Sequence, residues 1–396
     1  MSDQSGPLPP FEEDAGQPLL DDAETLPERS NRRAFLRRAS ALTLAIPGLG
    51  ASLTACSSEE REHDEHTAAN ARQKSGQDTA RARHDSLQFR NPDSKLDTSL
   101  HYEPRHGTTP AANGLSAPFA RYDPRLPALS ASRTLRLHFH SIATPVRISS
   151  ETVVSGWTFE GNIPGPILHC RVGDTVHFTL TNDMVVPHSM DFHAAQIDPK
   201  VAFRSVIKGL SVSYSFTPRY AGAFCYHCGT APVLLHLGSG MYGAIIVSPR
   251  EPLPPAREFV LLQSEFYLGA PVNGVRPFDY AKMLAGVPDI VAFNGRPDQY
   301  SREPIHVKRG DRVRFWVVNP GPTLGCAFHI VGEQFDRVYI GEPPTERIRG
   351  VQTWNVPPGG GMGFELTCDI AGEFVFVNHA FGHGQKGAIG NLVVEA

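Results

Sequence analysis

Four potential metal ligands lie in two short stretches of this sequence. His188 comes first, and Cys228, His236 and Met241 follow with the spacing Cys-x7-His-x4-Met. Two imidazoles, one thiolate and one distant thioether suit copper in both oxidation states, whereas zinc takes a closed tetrahedral set. These residues therefore predict a type-1 copper centre that gains and loses one electron.

Two further histidines interleave with this set. His193 follows His188 by five residues, and His227 directly precedes Cys228. A second metal bound at His227 would be linked to the first through the His227–Cys228 peptide, which is a short covalent path for an electron. A second metal reached in this way indicates an enzyme rather than a simple electron carrier.

The region from about residue 150 to the C-terminus resembles the copper-containing nitrite reductases. The resemblance lies in the two histidine-rich stretches and in FVNHAFGHGQKGAIG, which contains His379. It implies one type-1 and one type-2 copper per subunit, with His193, His227 and His379 as the type-2 ligands. Because His379 would come from a neighbouring subunit, the resemblance also implies a closed ring, namely a homotrimer.

The same resemblance implies that Asp191 and His329 deliver protons. Reduction of nitrite to nitric oxide consumes one electron and two protons, so a carboxylate and an imidazole beside the metal have a defined task. An outside protein, such as a cupredoxin or a cytochrome c, would donate the electron at the type-1 centre.

Two other functions stay open at this point. The chain could be a copper oxidase that acts on another small oxidant or substrate, or a type-1 copper carrier with an empty second site. A trinuclear cluster of the laccase kind is disfavoured, because it needs several His-x-His pairs and the sequence offers only His138-Phe139-His140. In addition, Gly229 follows Cys228 where a further histidine would be required.

One segment departs from the family pattern. After His193 the nitrite reductases usually continue with Gly and Ala, whereas this chain has QIDPKVAFR at residues 196–204. We expect this segment to shape the pocket mouth, which leaves the identity of the substrate open.

Length, composition and an internal repeat predict the fold. The chain has 396 residues, 40% of them apolar, with 36 Gly and 34 Pro, which favours two domains of β-strands. The motif GDTVHF at 173–178 recurs as GDRVRF at 310–315. We therefore predict an all-β protein with two tandem cupredoxin-like Greek-key β-sandwich domains, at residues 130–250 and 251–396. The repeat aligns Asn378 with Cys228, so only the first domain can hold type-1 copper.

The net charge and the C-x-x-C motif argue against nucleic-acid binding and against a disulfide, respectively. The formal net charge is −4, which gives no reason to expect nucleic-acid binding. Cys225 and Cys228 form a C-x-x-C motif, but in an extended strand these two positions point to opposite faces, so we do not expect a disulfide between them.

The N-terminal region is predicted to direct export. Asn31-Arg32-Arg33-Ala34-Phe35-Leu36-Arg37 resembles a twin-arginine signal, and Leu53-Thr54-Ala55-Cys56 resembles a lipobox with Cys56 as the lipidated residue. The alternative is a conventionally cleaved signal with an incidental cysteine. Residues 1–56 would be the signal and residues 57–129 a disordered tether. The protein would then be periplasmic, or held by its lipid on the extracytoplasmic face of a membrane.

Overall fold

The computed structural model describes residues 118–396. The signal and lipid anchor predicted for residues 1–56, and most of the predicted tether, lie outside these residues. Within the described part, nineteen strands and five short helices form an all-β molecule, which confirms the predicted fold class. No helix of that part is long and apolar enough to cross a membrane.

The first β-sandwich contains eight strands and two short helices, which are β1 (Thr134–Arg147), β2 (Val153–Phe159), β3 (Ile167–Arg171), β4 (Thr175–Asn182), β5 (Asp191–Phe192), α1 (Pro199–Ala202), β6 (Ser211–Phe216), β7 (Gly222–His227), α2 (Val233–Gly238) and β8 (Tyr242–Ser248). Its two sheets have the strand orders β2-β1-β4-β6 and β3-β8-β7-β5. The chain thus crosses between the sheets after β2 and again after β3, as Greek-key sandwiches do.

The second β-sandwich contains the remaining elements, which are β9 (Arg257–Phe266), α3 (Tyr280–Ala285), β10 (Ile290–Phe293), α4 (Gln299–Arg302), β11 (Glu303–Lys308), β12 (Arg312–Asn319), β13 (Cys326–Ile330), β14 (Arg337–Tyr339), β15 (Arg347–Ile348), β16 (Thr353–Val356), β17 (Gly360–Thr367), β18 (Gly372–Asn378), α5 (Phe381–Gly384) and β19 (Ile389–Glu395). Its sheets have the orders β10-β9-β12-β17-β14-β15 and β11-β19-β18-β13-β16.

The internal repeat produces matching local structure in the two sandwiches. Gly173 and Gly310 have φ angles of 83° and 88°, in the left-handed region that glycine adopts without steric cost. Asn182 and Asn319 each use the side-chain amide to donate to two backbone carbonyls. One folding pattern therefore occurs twice in the chain.

Three apolar layers hold the molecule together. One layer fills each sandwich, and the third lies between the two sandwiches. Strand β8 shows how the layers arise, because Ile245 and Val247 face the first core while Ala244 and Ile246 face the third layer. With both faces covered, β8 is a nearly continuous apolar run rather than an alternating one.

The segment that precedes β1 is attached to the second sandwich. The backbone N–H of Tyr122 donates to the side-chain carbonyl of Gln299 at 2.7 Å, and Nε of Arg296 donates to the carbonyl of Ala120 at 2.7 Å. Residues 118–129 belong to the tether that is predicted from the sequence. In the structure, these contacts make residues 120–122 part of the folded body.

Candidate metal centres

The side chains of His188, Cys228 and His236 converge inside the first sandwich. Nδ1 of His188 lies 3.0 Å from Nδ1 of His236, and Sγ of Cys228 lies 3.3 Å from Nδ1 of His236 and 3.7 Å from Nδ1 of His188. Met241 is fully buried, and its backbone carbonyl accepts a hydrogen bond from the N–H of Cys228 at 3.1 Å. The three converging donor atoms form a group that could hold a metal ion.

Loops and strand ends of the first sandwich position these side chains. Cys228 directly follows β7, His236 lies on α2, and Met241 directly precedes β8. His188 is held by two backbone hydrogen bonds with Val206, at 2.8 and 3.1 Å. Backbone hydrogen bonds therefore hold the segments that carry these side chains.

The first group, which consists of His188, Cys228 and His236, is buried, and this burial shifts the pKa values of its side chains. His188 and His236 are at most 1% exposed. Burial, together with the neighbouring His236, lowers the pKa of His188 to about 3, and burial also lowers the pKa of His236. Both imidazoles are therefore neutral at ordinary pH, which is the form that binds a metal.

Hydrogen bonds surround the sulfur of Cys228. Burial raises the pKa of this thiol, and hydrogen bonds from Ser189 and Thr230 oppose the rise. The N–H of Ser189 lies 3.5 Å from Sγ, and Oγ of Ser189 accepts hydrogen bonds from Gly229 N–H and from the hydroxyl of Thr230, both at 3.1 Å. Ser189 and Thr230 are not among the residues predicted from the sequence, although each lies within two residues of a predicted ligand.

A second group lies beside the first. Nε2 of His193 is 3.0 Å from Nε2 of His227, and Oδ2 of Asp191 is 3.8 Å from each of these nitrogens. Asp191 and His227 are directly paired between β5 and β7. Burial raises the pKa of Asp191, which the two imidazoles oppose, and burial lowers the pKa of His227. These three side chains form the second group that could hold a metal ion.

Strand β7 separates the two groups. Tyr226 and Cys228 pack in the first core, whereas Ala223 and Cys225 pack in the layer between the sandwiches. Since side chains alternate along a strand, His227 lies on the side of Cys225 and faces away from Cys228. Cys225 and Cys228 are both free thiols on opposite faces, as predicted.

The second sandwich contributes to the orientation of His193. The carbonyl of Gly359 lies 3.1 Å from Nδ1 of His193, and Sγ of Cys225 lies 3.2 Å from the same nitrogen. A carbonyl can only accept, so Nδ1 carries the hydrogen and Nε2 presents its lone pair to the group.

The predicted residues His329 and His379 lie together but apart from the second group. Their rings are 5.2 Å apart between centroids, and Nδ1 of His329 lies 2.6 Å from the carbonyl of Gln352. Within one chain, the part that the structure describes does not bring either of them to His193 and His227.

The end of the segment at residues 196–204 lies beside the loop that follows Cys228. Atoms of Phe203 lie 3.7 Å from the point where Gly229 would carry a Cβ, and Oγ of Ser205, the next residue after the segment, lies 2.8 Å from Oγ1 of Thr230.

The two donor sets fit different tasks. One sulfur and two imidazole nitrogens, with a buried methionine in the same loop, suit copper better than zinc. Two imidazoles and a carboxylate, which are 13–30% exposed, leave room for a further ligand and for a small molecule.

Comparison with known proteins gives the family. Residues 142–252 match the multicopper oxidase family. A copper-containing nitrite reductase of Neisseria meningitidis serogroup A is 36% identical over 269 residues, which is 66% of this chain and 69% of the relative. The relative from serogroup B is 39% identical over 60% of this chain and 63% of its own length.

A solved structure agrees with these sequence matches. The copper nitrite reductase of Nitrosomonas europaea superposes with a TM-score of 0.62 at 35% identity, over 66% of this chain and 94% of that chain. The chain belongs to the copper-containing nitrite reductase family. The resemblance seen in the sequence is thereby confirmed, and the nitrite reductase family is a family of oxidoreductases.

Proposed function

We propose that this chain reduces nitrite to nitric oxide and water, using one electron and two protons. The observation that supports this most is that two groups able to hold a metal ion meet at neighbouring residues, His227 and Cys228, whose side chains face opposite ways. Two such centres would let single electrons pass from the first group to a substrate at the second. The nitrite reductases of Neisseria and Nitrosomonas named above support the choice of substrate.

In this proposal each subunit holds one type-1 and one type-2 copper. The type-1 ligands are His188, Cys228, His236 and Met241. The type-2 ligands are His193, His227 and, from a second copy of the chain, His379, which makes the active form a homotrimer. Bound copper supplies the one-electron redox change and polarises the substrate.

Side chains and backbone of the protein supply the two protons and orient a ligand. Asp191 holds a proton beside the two Nε2 atoms of His193 and His227, within reach of a small anion bound there. His329 lies next to His379, so the same second copy would bring it to the site as the second proton donor. The carbonyl of Gly359 keeps His193 in one tautomer throughout.

The electron donor and the cellular location are part of the same proposal. An external one-electron protein, a cupredoxin or a cytochrome c, reduces the type-1 centre. Export by the signal at residues 1–56, with lipid attachment at Cys56, places the enzyme in the periplasm or on the extracytoplasmic face of the membrane.

A turnover assay on the copper-loaded full chain tests the proposal. Under anaerobic conditions with dithionite, we expect nitric oxide to form from nitrite. Asp191→Asn and His329→Ala should each lower turnover by about 10²–10⁴-fold with copper retained, because each removes a proton donor. The matched control is Asp369→Asn, at an exposed carboxylate of the second sandwich, which should leave turnover unchanged. Reduction of another small oxidant without nitrite turnover would replace the substrate, and no turnover at all would favour a carrier.

A further inference from the structure

Trp157 on β2 contacts both histidines of the first group. Its ring centroid lies 5.7 Å from that of His188 and 5.2 Å from that of His236. The indole meets both imidazoles at steep angles, 74° and 75°, which is an edge-to-face arrangement. One side chain therefore covers two of the four proposed type-1 ligands.

Exposure distinguishes Trp157 from the ligands it covers. His188, Cys228 and Met241 are 0% exposed, and His236 is 1% exposed. Trp157 itself is only partly buried and packs at the edge of the first core. The ligands do not reach solvent, whereas the indole that touches two of them does.

The backbone of Trp157 is fixed independently of its side chain. Its N–H donates to the carbonyl of Ser239 at 3.0 Å, in the loop between His236 and Met241. A Cβ on Gly240 would lie 2.4 Å from Cδ1 of Ile163 and 3.0 Å from the carbonyl oxygen of Trp157, so no larger residue fits this close approach. Replacing the indole therefore changes the cover over the ligands while the backbone contact stays.

We propose that Trp157 is the side chain through which a protein donor passes its electron to the first group, and that it keeps water from the two imidazoles. The inference rests on the proposed type-1 centre. A donor cannot touch the buried imidazoles directly, so its electron must cross whatever side chain lies between. One electron moves, the donor is oxidised and the centre is reduced, with no bond formed and no proton transferred.

Three variants of the copper-loaded full chain separate the two roles. Trp157→Ala removes both the aromatic ring and the cover, Trp157→Leu keeps an apolar cover without the ring, and Trp157→Phe keeps a ring. Trp354→Leu is the control, because Trp354 is a partly buried tryptophan packed against the second core. The measurements are made without nitrite, by rapid mixing with reduced cytochrome c or with dithionite, and by redox titration of the visible band.

We expect Trp157→Ala and Trp157→Leu to be reduced by cytochrome c about tenfold or more slowly, within the range that variants of one interface span. Reduction by dithionite, a small molecule, should not slow. Trp157→Ala should also have a lower reduction potential, because water stabilises the more highly charged oxidised centre. Trp157→Leu and Trp157→Phe should keep the parental potential, and Trp157→Phe and Trp354→Leu should keep most of the cytochrome c rate.

The outcomes that overturn the inference are distinct from those that overturn the proposed function. A parental cytochrome c rate in Trp157→Leu would exclude electron transfer through the ring, even if Trp157→Ala fails to fold. A parental potential in a folded Trp157→Ala would exclude the role against water. If the parental protein lacks a visible copper band, or has one but does not turn over nitrite, it is the copper assignment or the nitrite proposal that fails.

Discussion

At the scale of single residues, Ser189 links His188, which it follows in the chain, to Cys228 and the loop after it. Its N–H points at the sulfur of Cys228, and its hydroxyl accepts from Gly229 and Thr230 on the loop that follows. Hydrogen bonds to a sulfur stabilise the thiolate, because they favour the charged form that burial alone disfavours. We infer that Ser189 and Thr230 help Cys228 to act as a ligand.

Replacement of the proposed thiolate should remove the colour of the protein. We expect Cys228→Ser to lose the visible thiolate-to-copper absorption, because a hydroxyl cannot replace a thiolate ligand. The second group should keep its copper, so metal analysis should fall from two coppers to one per chain. Cys170→Val is the matched control, since it removes another buried thiol of the first core. A coloured Cys228→Ser protein would refute the ligand assignment.

The residue types of the site were predictable, but much of their surroundings was not. The spacing of Cys228, His236 and Met241 along one loop is enough to predict a type-1 copper site from the sequence. Trp157 reaches the same group because β2 pairs with β1 and packs on the loop of α2, which no local pattern shows. The carbonyl of Gly359 is a backbone atom from the other sandwich, and a sequence does not reveal such contacts.

Strand β7 is the element that separates the two candidate metal centres. Its alternation sends Cys228 into the first core and His227 toward the second sandwich. The repeat, the strand alternation and the two-sandwich fold were predictable because they follow from periodicity. The attachment of residues 120–122 was not, because that stretch has no period and gains its order from the second sandwich.

A buried carboxylate joins three strands of the second sandwich. Glu365 on β17 is 0% exposed and contacts Arg314 on β12 and Arg337 on β14. Burial by itself raises the pKa of Glu365, but the hydrogen bonds and charges of the two arginines outweigh it and hold the pKa below its usual range. The ionised form is therefore the stabilising one.

Removing this charge should destabilise the protein at neutral pH. We expect Glu365→Gln to cost about 3–5 kcal/mol in the free energy of unfolding, because the buried Arg314 loses its nearest charged partner. The folded pKa is depressed, so this stabilisation is complete above the unfolded value of about 4.3 and is lost as pH falls through the folded value. The parental and variant proteins should thus converge in acid, as measured by urea unfolding from pH 7 downward. A parental stability at pH 7, or a constant difference, would contradict the prediction. Glu251→Gln, at an exposed site, is the control.

At the scale of the whole molecule, the proposed type-2 ligands are divided between the two sandwiches. His193 and His227 belong to the first sandwich, and His379 lies on the second, beside His329. If His379 of a second copy completes the group, His379→Ala should lose the type-2 copper and turnover while the type-1 absorption survives. His306→Ala, at an exposed histidine on β11, should change neither.

Mixing two inactive variants tests sharing between copies directly. His193→Ala lacks one half of the site and His379→Ala lacks the other, so each alone should be inactive. Unfolding and refolding them together in equal amounts should restore activity, because about a quarter of the interfaces in a randomly mixed ring combine two intact halves. Mixtures as inactive as the separate variants would argue against a shared site.

The attachment of the segment before β1 also sets an order of events during synthesis. Tyr122 pairs with Gln299, which lies 177 positions later in the chain, and the buried guanidinium of Arg296 reaches back to Asn162 of the first sandwich. None of these contacts can form until residues 296–299 have left the ribosome. At ordinary translation rates that delay is on the order of ten seconds or more. Until then the leading segment is undocked, and from the emergence of β8 onward the apolar face of this strand is uncovered until the second sandwich follows.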